Sequence, residues 1–331
     1  MMRRHWMPLL LGLMLAVGCS VATRATPTLT LGLPIDCTLG QDCFVLLYPD
    51  RDPGPDAVDF GCGRMTYDGH KGTDFAIPDD KAMAKGVTVK AAAAGTVLRT
   101  RNNIRDRRLQ DPSQTTEVEG TECGNGVVID HGQNWQTQYC HLRQGSVSVQ
   151  PGDKVTEGTP LGLVGNSGKA SFPHVHLSVR YQEQVVDPFV GPEAQTGCQT
   201  PQNPLWKSTL PYQPTGLIRS GFATQLPELD QLWDGDFKEK TLSVDSPAIV
   251  FWVHTYGMLQ GDQERLQLRD PKGKTVANLN RPMSEPQRVW TRSVGKKKTT
   301  PSLMPGRWSG RYQLLREGKA LIDHEQTVTL K

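Results

Sequence analysis

Two short clusters of metal-binding residue types stand far apart in this chain, Gly69-His70-Lys-Gly-Thr-Asp74 and Pro173-His174-Val-His176. An extended strand sends alternate side chains to one face, so His174 and His176 project together while Val175 turns inward. The spacing from His70 to Asp74 is also even. A helix would align positions four apart as well, but Gly69 and Gly72 flank the pair and Pro78 follows, which argues for extended chain or turn. A fold that lays the two segments side by side converges both pairs on one ion.

Two imidazoles and one carboxylate fill three positions of a tetrahedral zinc shell, and a catalytic site keeps the fourth for water. Such an ion retains positive charge, polarises a carbonyl and lowers the pKa of water from about 15.7 to roughly 7. The base must come from elsewhere, because His324-Glu-Gln-Thr-Val328 lacks the second histidine of a His-Glu-x-x-His helix. His141 ends the strand-like run Trp135-Gln-Thr-Gln-Tyr-Cys-His-Leu142. Alternation puts Thr137, Tyr139 and His141 on one face and Gln138 and Cys140 on the other, so Cys140 is expected to point away from the site. Of the four candidate histidines at least one must stay off the metal, since four protein ligands would close the open position. A hydrolase is the leading reading.

Gly69-His70-x-x-x-Asp74, Tyr139-x-His141-Leu142 and Pro173-His174-x-His176-Leu177 resemble the motifs of the M23 (lysostaphin and LytM-like) zinc metallopeptidases. The resemblance covers roughly Cys43 to Phe189 and includes Gly126-Val-Val-Ile-Asp-His-Gly132, Val149-Gln-Pro-Gly-Asp-Lys-Val155 and Gly162-Leu-Val-Gly-Asn-Ser-Gly168. It implies His70, Asp74 and His176 as ligands of one Zn²⁺, with His141 and His174 orienting and deprotonating water or stabilising an oxyanion. It also implies peptide bonds of bacterial cell-wall peptidoglycan as substrate. The chain departs from the pattern at Leu177-Ser178-Val179, where many relatives carry Phe-Glu, and at Cys140, where a small residue is common. The segment Arg99 to Glu122 is long for a connection between two strands.

Of the remaining histidines, His131 is expected at the exposed tip of the Asp-His-Gly turn, and His254 lies in an apolar strand as a core or interface residue. Arg3 and Arg4 precede an apolar run from Met7 to Val17, the pattern of a secretory signal over residues 1–22. Leu15-Ala-Val-Gly-Cys19 resembles a lipobox, so two outcomes stand open: a lipid anchor at Cys19 in the outer membrane, or ordinary cleavage after Ala22. Both export the chain to the periplasm or cell envelope. Setting Cys19 aside leaves six cysteines, the even number expected of disulfides in an exported protein. Cys123 and Cys140 flank a strand-turn-strand and can face each other; Cys37 with Cys43 is a local pairing, and Cys62 with Cys198 is the remainder.

The length of 331 residues suggests two domains. Prolines 201, 204, 211 and 214 mark a linker over 199–215. It separates a peptidase-like domain at 35–198 from a C-terminal domain at 216–331. In the first, Val87–Ala91, Gly95–Leu98, Gly126–Asp130, Gln136–Leu142 and Pro173–Val186 favour strands, and no long amphipathic helix stands out. A mostly β chain is expected: a two-layer antiparallel catalytic domain with a groove, then a smaller β-sandwich of immunoglobulin-like type built on runs such as Ala248–Val253 and Trp308–Leu314.

A net charge of +3 is modest for a nucleic-acid binder, and none is expected as partner. The cluster Arg99 to Arg108 reads first as a solvated loop and, functionally, as a site that could attract anionic wall polymer. Two further classes compete with the peptidase. One is a catalytically silent relative that binds peptidoglycan or activates an amidase, although such members lose ligands and this chain keeps all of them. The other is a biotinyl or lipoyl carrier, suggested by Pro151-Gly-Asp-Lys-Val-Thr-Glu-Gly-Thr-Pro160, but no lysine is convincingly placed at a hairpin tip.

Overall fold

A computed structural model describes residues 28–200, 202–299 and 303–331. The signal segment, His5 and Cys19 lie outside the described residues. The first half contributes β1 (Phe44–Leu47), β2 (Thr73–Ala76), α1 (Asp80–Lys85), β3 (Thr88–Lys90), β4 (Gly95–Arg101), β5 (Asn125–Gly132), β6 (Trp135–Leu142), β7 (Lys154–Val155), β8 (Pro160–Leu163), β9 (His174–Tyr181) and β10 (Gln184–Val186). One antiparallel sheet runs in the order β1-β2-β9-β6-β5-β4-β7, with β10 added to β9, and β3 and β8 form a separate ribbon. Val89 and Leu161 of the ribbon share a core with Val127, Ile129, Tyr139, Val175 and Leu177 of the sheet. The alternation read in Trp135, Thr137 and Tyr139 is the reason for that packing: all three are buried while Gln136 and Gln138 are half-exposed.

One expectation gains detail here and one needs correction. Pro173–Val186 is a hairpin, because Gln182 and Glu183 both take left-handed φ and turn β9 back as β10. His131 is no exposed tip: its ring nitrogens lie 2.7 Å from the Ala94 carbonyl and 2.8 Å from Thr137 Oγ1.

The second half contributes β11 (Gly216–Ala223), α2 (Leu229–Asp234), β12 (Thr241–Leu242), β13 (Ala248–Met258), β14 (Gln263–Arg269), β15 (Thr275–Pro282), β16 (Gln287–Lys297), β17 (Gly306–Arg316) and β18 (Lys319–Leu330). The sheet β11-β13-β16 and the sheet β12-β18-β17-β14-β15 share one core, in which Phe222, Ile249 and Phe251 of the first meet Leu266, Tyr312 and Val328 of the second. β17 shows the cause in its sequence: Trp308, Gly310, Tyr312 and Leu314 are buried and the residues between them are not. The proline-rich stretch has neither helix nor strand among its described residues, yet Leu205 and Trp206 are buried in the first core.

Charge fastens the two halves together. Arg108, 9% exposed, binds Asp80 of α1 at 2.9 Å and reaches α2 through Asp230 at 3.2 Å and through Asp234. Buried Asp79 caps α1 by accepting from Ala82 N–H and pairs with Arg219 of β11 at 3.0 Å and Lys238 at 2.9 Å. Gly235 ends α2 with φ 85°, and a Cβ there would sit 2.9 Å from Asp79 Oδ1, so the junction needs glycine for both conformation and room. The arginine-rich cluster is therefore in part a structural clamp rather than a solvated loop.

Trp233 of α2 stacks on Phe172 at 5.5 Å and meets the edge of His254 at 4.5 Å. His254 is fully buried with neither ring nitrogen hydrogen-bonded. Burial, and then the charge of Arg219, push its pKa down to about 3. The unfolded chain takes up the proton that the fold refuses. Stability is therefore full above the ordinary histidine pKa of about 6.5 and falls as pH drops from there toward 3, by about 1.4 kcal/mol per pH unit. Chemical denaturation of wild type and His254→Phe at pH 7 and pH 5 is expected to show the variant gaining about 2 kcal/mol relative to wild type at the lower pH. An equal gap at both pH values would refute a neutral, buried His254.

Candidate metal centre

The register of the sheet assembles the site. β2 pairs with β9 so that Asp74 stands opposite His176 and Ala76 opposite His174, while Phe75 and Val175 face each other on the core side. Directly opposed residues of an antiparallel pair share a face, which puts Asp74, His176 and His174 together. His70 arrives from the turn before β2. Gly72 permits that approach: a Cβ on it would lie 2.5 Å from His176 Nε2 and 2.6 Å from the Leu177 carbonyl.

The structure brings His70, Asp74 and His176 into one triangle. His70 Nε2 lies 3.2 Å from both Asp74 Oδ1 and His176 Nδ1, and those two atoms are 2.8 Å apart. Bonds of the length zinc makes to nitrogen and oxygen, arranged tetrahedrally, place their donors about 3.3 Å apart. Proton positions agree with that fit. His70 Nδ1 sits 2.7 Å from the Tyr48 carbonyl, which only accepts, so Nδ1 carries the hydrogen. Burial lowers the His70 pKa, but the Asp74 carboxylate outweighs it and raises it, so a metal bound at Nε2 takes the place of the proton that Asp74 otherwise favours there. His176 Nε2 lies 3.0 Å from the Ser178 hydroxyl; when Nε2–H donates there, Nδ1 is bare. With the His70 Nε2 proton displaced, three lone-pair atoms face one another, which a cation relieves. A second cluster, Cys37, Asp42 and Cys43, is unsuited to metal because its cysteines are joined in a disulfide.

His141 and His174 stand beside the triangle. Their rings are 4.6 Å apart, and the His141 ring is 5.9 Å from that of His176. His174 Nε2 is 3.6 Å from Asp74 Oδ1. Both rings give Nδ1–H to a backbone carbonyl at 2.8 Å, His141 to Ser167 and His174 to Phe172, which leaves each Nε2 free to accept. Burial, then neighbouring histidines, hold His141 well below the ordinary histidine range, and burial lowers His174 despite the pull of Asp74. The Asp74 carboxyl is held well below its usual range: burial opposes this, and His70, His174 and His176 outweigh it.

Alternation alone misplaces three residues. Thr137 and Tyr139 point into the core, and Cys140 stands opposite His176, on the site side rather than away from it. His141 reaches the site because its φ is 64°, a left-handed kink in β6, with its N–H held by the Cys123 carbonyl at 2.8 Å. The Cys123–Cys140 disulfide thus borders the centre. Sequence reasoning also missed Ser178 and the three orienting carbonyls. Ser178 carried a signal, lying two residues after His176 on the same strand face; a carbonyl carries none.

A cleft of about 350 Å³ opens over Asp74, His141, His174 and His176. Leu109 and Gln110 of the long connection line it, as do Trp233 of α2 and Arg288 and Val289 of β16.

Fold and donor set define a β-rich domain with a triad of buried His70, buried Asp74 and half-buried His176 that could hold a metal at the base of a cleft. Residues 68–188 match the family model described as Peptidase family M23. The peptidoglycan DD-endopeptidase ShyA of Vibrio cholerae is 36% identical over 110 residues, 33% of this chain and 20% of that protein. The DD-carboxypeptidase/endopeptidase Mpg of Neisseria gonorrhoeae is 29% identical over 119 residues, 36% of this chain and 22% of that protein. The chain thus spans about a fifth of the length of these relatives. Among solved structures, the catalytic domain of the prophage-encoded M23 protein EnpA from Enterococcus faecalis is 23% identical and aligns over 49% of this chain and 94% of that chain, with a TM-score of 0.31.

Proposed function

We propose that this chain is a zinc-dependent endopeptidase that hydrolyses peptide bonds of bacterial cell-wall peptidoglycan. The observation that carries the reading is the triangle of donor atoms on His70, Asp74 and His176, 2.8 to 3.2 Å apart, with the rings of His141 and His174 beside it. These three residues would hold the zinc, which supplies Lewis-acid polarisation of the scissile carbonyl and acidifies water. His141, neutral and fixed by the Ser167 carbonyl, accepts the proton of the attacking water at Nε2 and delivers it to the leaving amine. His174, held by the Phe172 carbonyl, orients the same water or stabilises the developing oxyanion.

The peptidoglycan DD-endopeptidase named among the relatives supports the substrate class. Three disulfides, Cys37–Cys43, Cys62–Cys198 and Cys123–Cys140, support an oxidising compartment and hence export to the periplasm or cell envelope. Among the described residues no helix is long and apolar enough to cross a membrane. In this proposal residues 35–198 form the catalytic unit, 199–215 the connection and 216–331 the C-terminal unit. Incubation of the zinc-loaded chain with purified sacculi, followed by mass analysis of the soluble products, is expected to show peptides cut at a single type of bond. Intact sacculi after incubation with zinc-replete, folded protein would overturn it.

A further inference from the structure

Arg288 reaches the catalytic cleft from the C-terminal half of the chain. It lies on β16, and its Nη1–H donates to the Thr66 carbonyl at 2.7 Å. The next residue, Tyr67, holds its ring 4.6 Å from that of His70. Arg288 lines the cleft over the metal triad and also lines a larger hollow of about 760 Å³ along the junction of the two halves. It therefore stands where the two spaces meet.

Its charge is unanswered. A guanidinium has five N–H donors, and among the described residues Arg288 has no carboxylate within ion-pairing distance. Of the other charged residues lining the cleft, Asp230 is paired with Arg108, and Lys169 is a second cation, but it lines the cleft alone and not the junction hollow that Arg288 also borders. An exposed guanidinium with a free edge matches the planar, bidentate geometry of a carboxylate. The junction hollow leaves room for chain beyond the carboxylate so held.

We propose that the C-terminal half completes the substrate cleft and that Arg288 binds a carboxylate of the peptide, so that the site selects anionic peptides. This deepens the peptidase reading and rests on it. The C-terminal half is then part of the substrate-binding machinery, and productive binding spans both halves of the chain.

The test is steady-state cleavage, by the zinc-loaded full chain, of the cross-linked peptide fraction from sacculi, with its carboxylates left free or converted to methylamides. Wild type is expected to show a KM about ten- to a hundredfold lower for the free acid. Arg288→Gln, which keeps a donor for the Thr66 carbonyl but no charge, is expected to bring the two KM values within about threefold, and Arg288→Lys to recover part of the difference. A preference for the acid that survives Arg288→Gln, or an equal loss of kcat on both forms, overturns the proposal. Failure of wild type to cut either form overturns the peptidase reading and this inference with it.

Discussion

His176→Ala is expected to lose stoichiometric zinc and peptide cleavage together, whereas His141→Ala keeps the zinc and loses about 10² to 10⁴ in kcat alone. The difference follows from which atoms face which. His176 Nδ1 is one corner of the donor triangle, 2.8 Å from Asp74 Oδ1 and 3.2 Å from His70 Nε2. Removing it leaves two ligands, too few to fix a tetrahedral ion, and Asp74→Asn is expected to act the same way by withdrawing the anionic donor. His141 is outside that triangle, with Nδ1 bound to the Ser167 carbonyl and its ring against His174. Its alanine variant keeps all three donors and loses only proton transfer. Elemental analysis of each purified variant, run beside cleavage of sacculi, separates the two outcomes. Full hydrolysis by a metal-free preparation would end the zinc account, and an undiminished kcat in His141→Ala would remove that residue from the chemistry.

That Asp74 shares a face with His174 and His176 was legible in the sequence because even spacing survives in any extended chain, whereas the choice of His70, Asp74 and His176 as the donor set came from the family resemblance, and His70 reaches the site from a turn outside β2. His174 and His176 occupy one strand and Asp74 stands in the next, so local periodicity was enough to put them on one face. The same logic failed at His141, since period two presumes a regular strand and the chain takes a left-handed step there. Trp308 to Leu314 could be read as a strand for the reason His174 to His176 could. α2 could not: six residues are too few to show a helical period, and its boundary depends on the left-handed Gly235. Arg108 looked like one charge in a solvated run because its partners Asp230 and Asp234 lie far along the chain, brought near only by the docking of α2 on α1. The prolines of 199–215 marked a linker without showing where it packs, for a related reason. Proline shows that regular structure stops, and says nothing of whether Leu205 and Trp206 are buried.

Joint replacement of Cys62 and Cys198 by serine is expected to cost about 5 kcal/mol, the largest loss among the three disulfides. That bond spans a separation of 136 residues, against 17 for Cys123–Cys140 and 6 for Cys37–Cys43. If the bonds act mainly by restricting the unfolded chain, the losses should fall in that order, to about 3 and about 2 kcal/mol. Native contacts near Cys198 soften the first effect without replacing it. Arg51 donates to the Gly197 carbonyl at 2.7 Å and to the Gln195 carbonyl, and it lies 3.7 Å from Asp187, so the segment stays docked in the folded variant. The unfolded chain gains its freedom regardless. Activity should follow a different order from stability. Cys140 stands opposite His176, and the Cys123 carbonyl holds the His141 N–H at 2.8 Å, so breaking this shorter loop loosens the left-handed step that aims the proposed base. Cys62–Cys198 has no such contact with the donor triangle. Denaturant midpoints and kcat measured on the three double-serine variants test both orders at once. A smaller stability loss for the Cys62–Cys198 variant than for the Cys123–Cys140 variant would refute the chain-entropy account, and an unchanged kcat in the latter would show that His141 is aimed by its own backbone and by Ser167 alone.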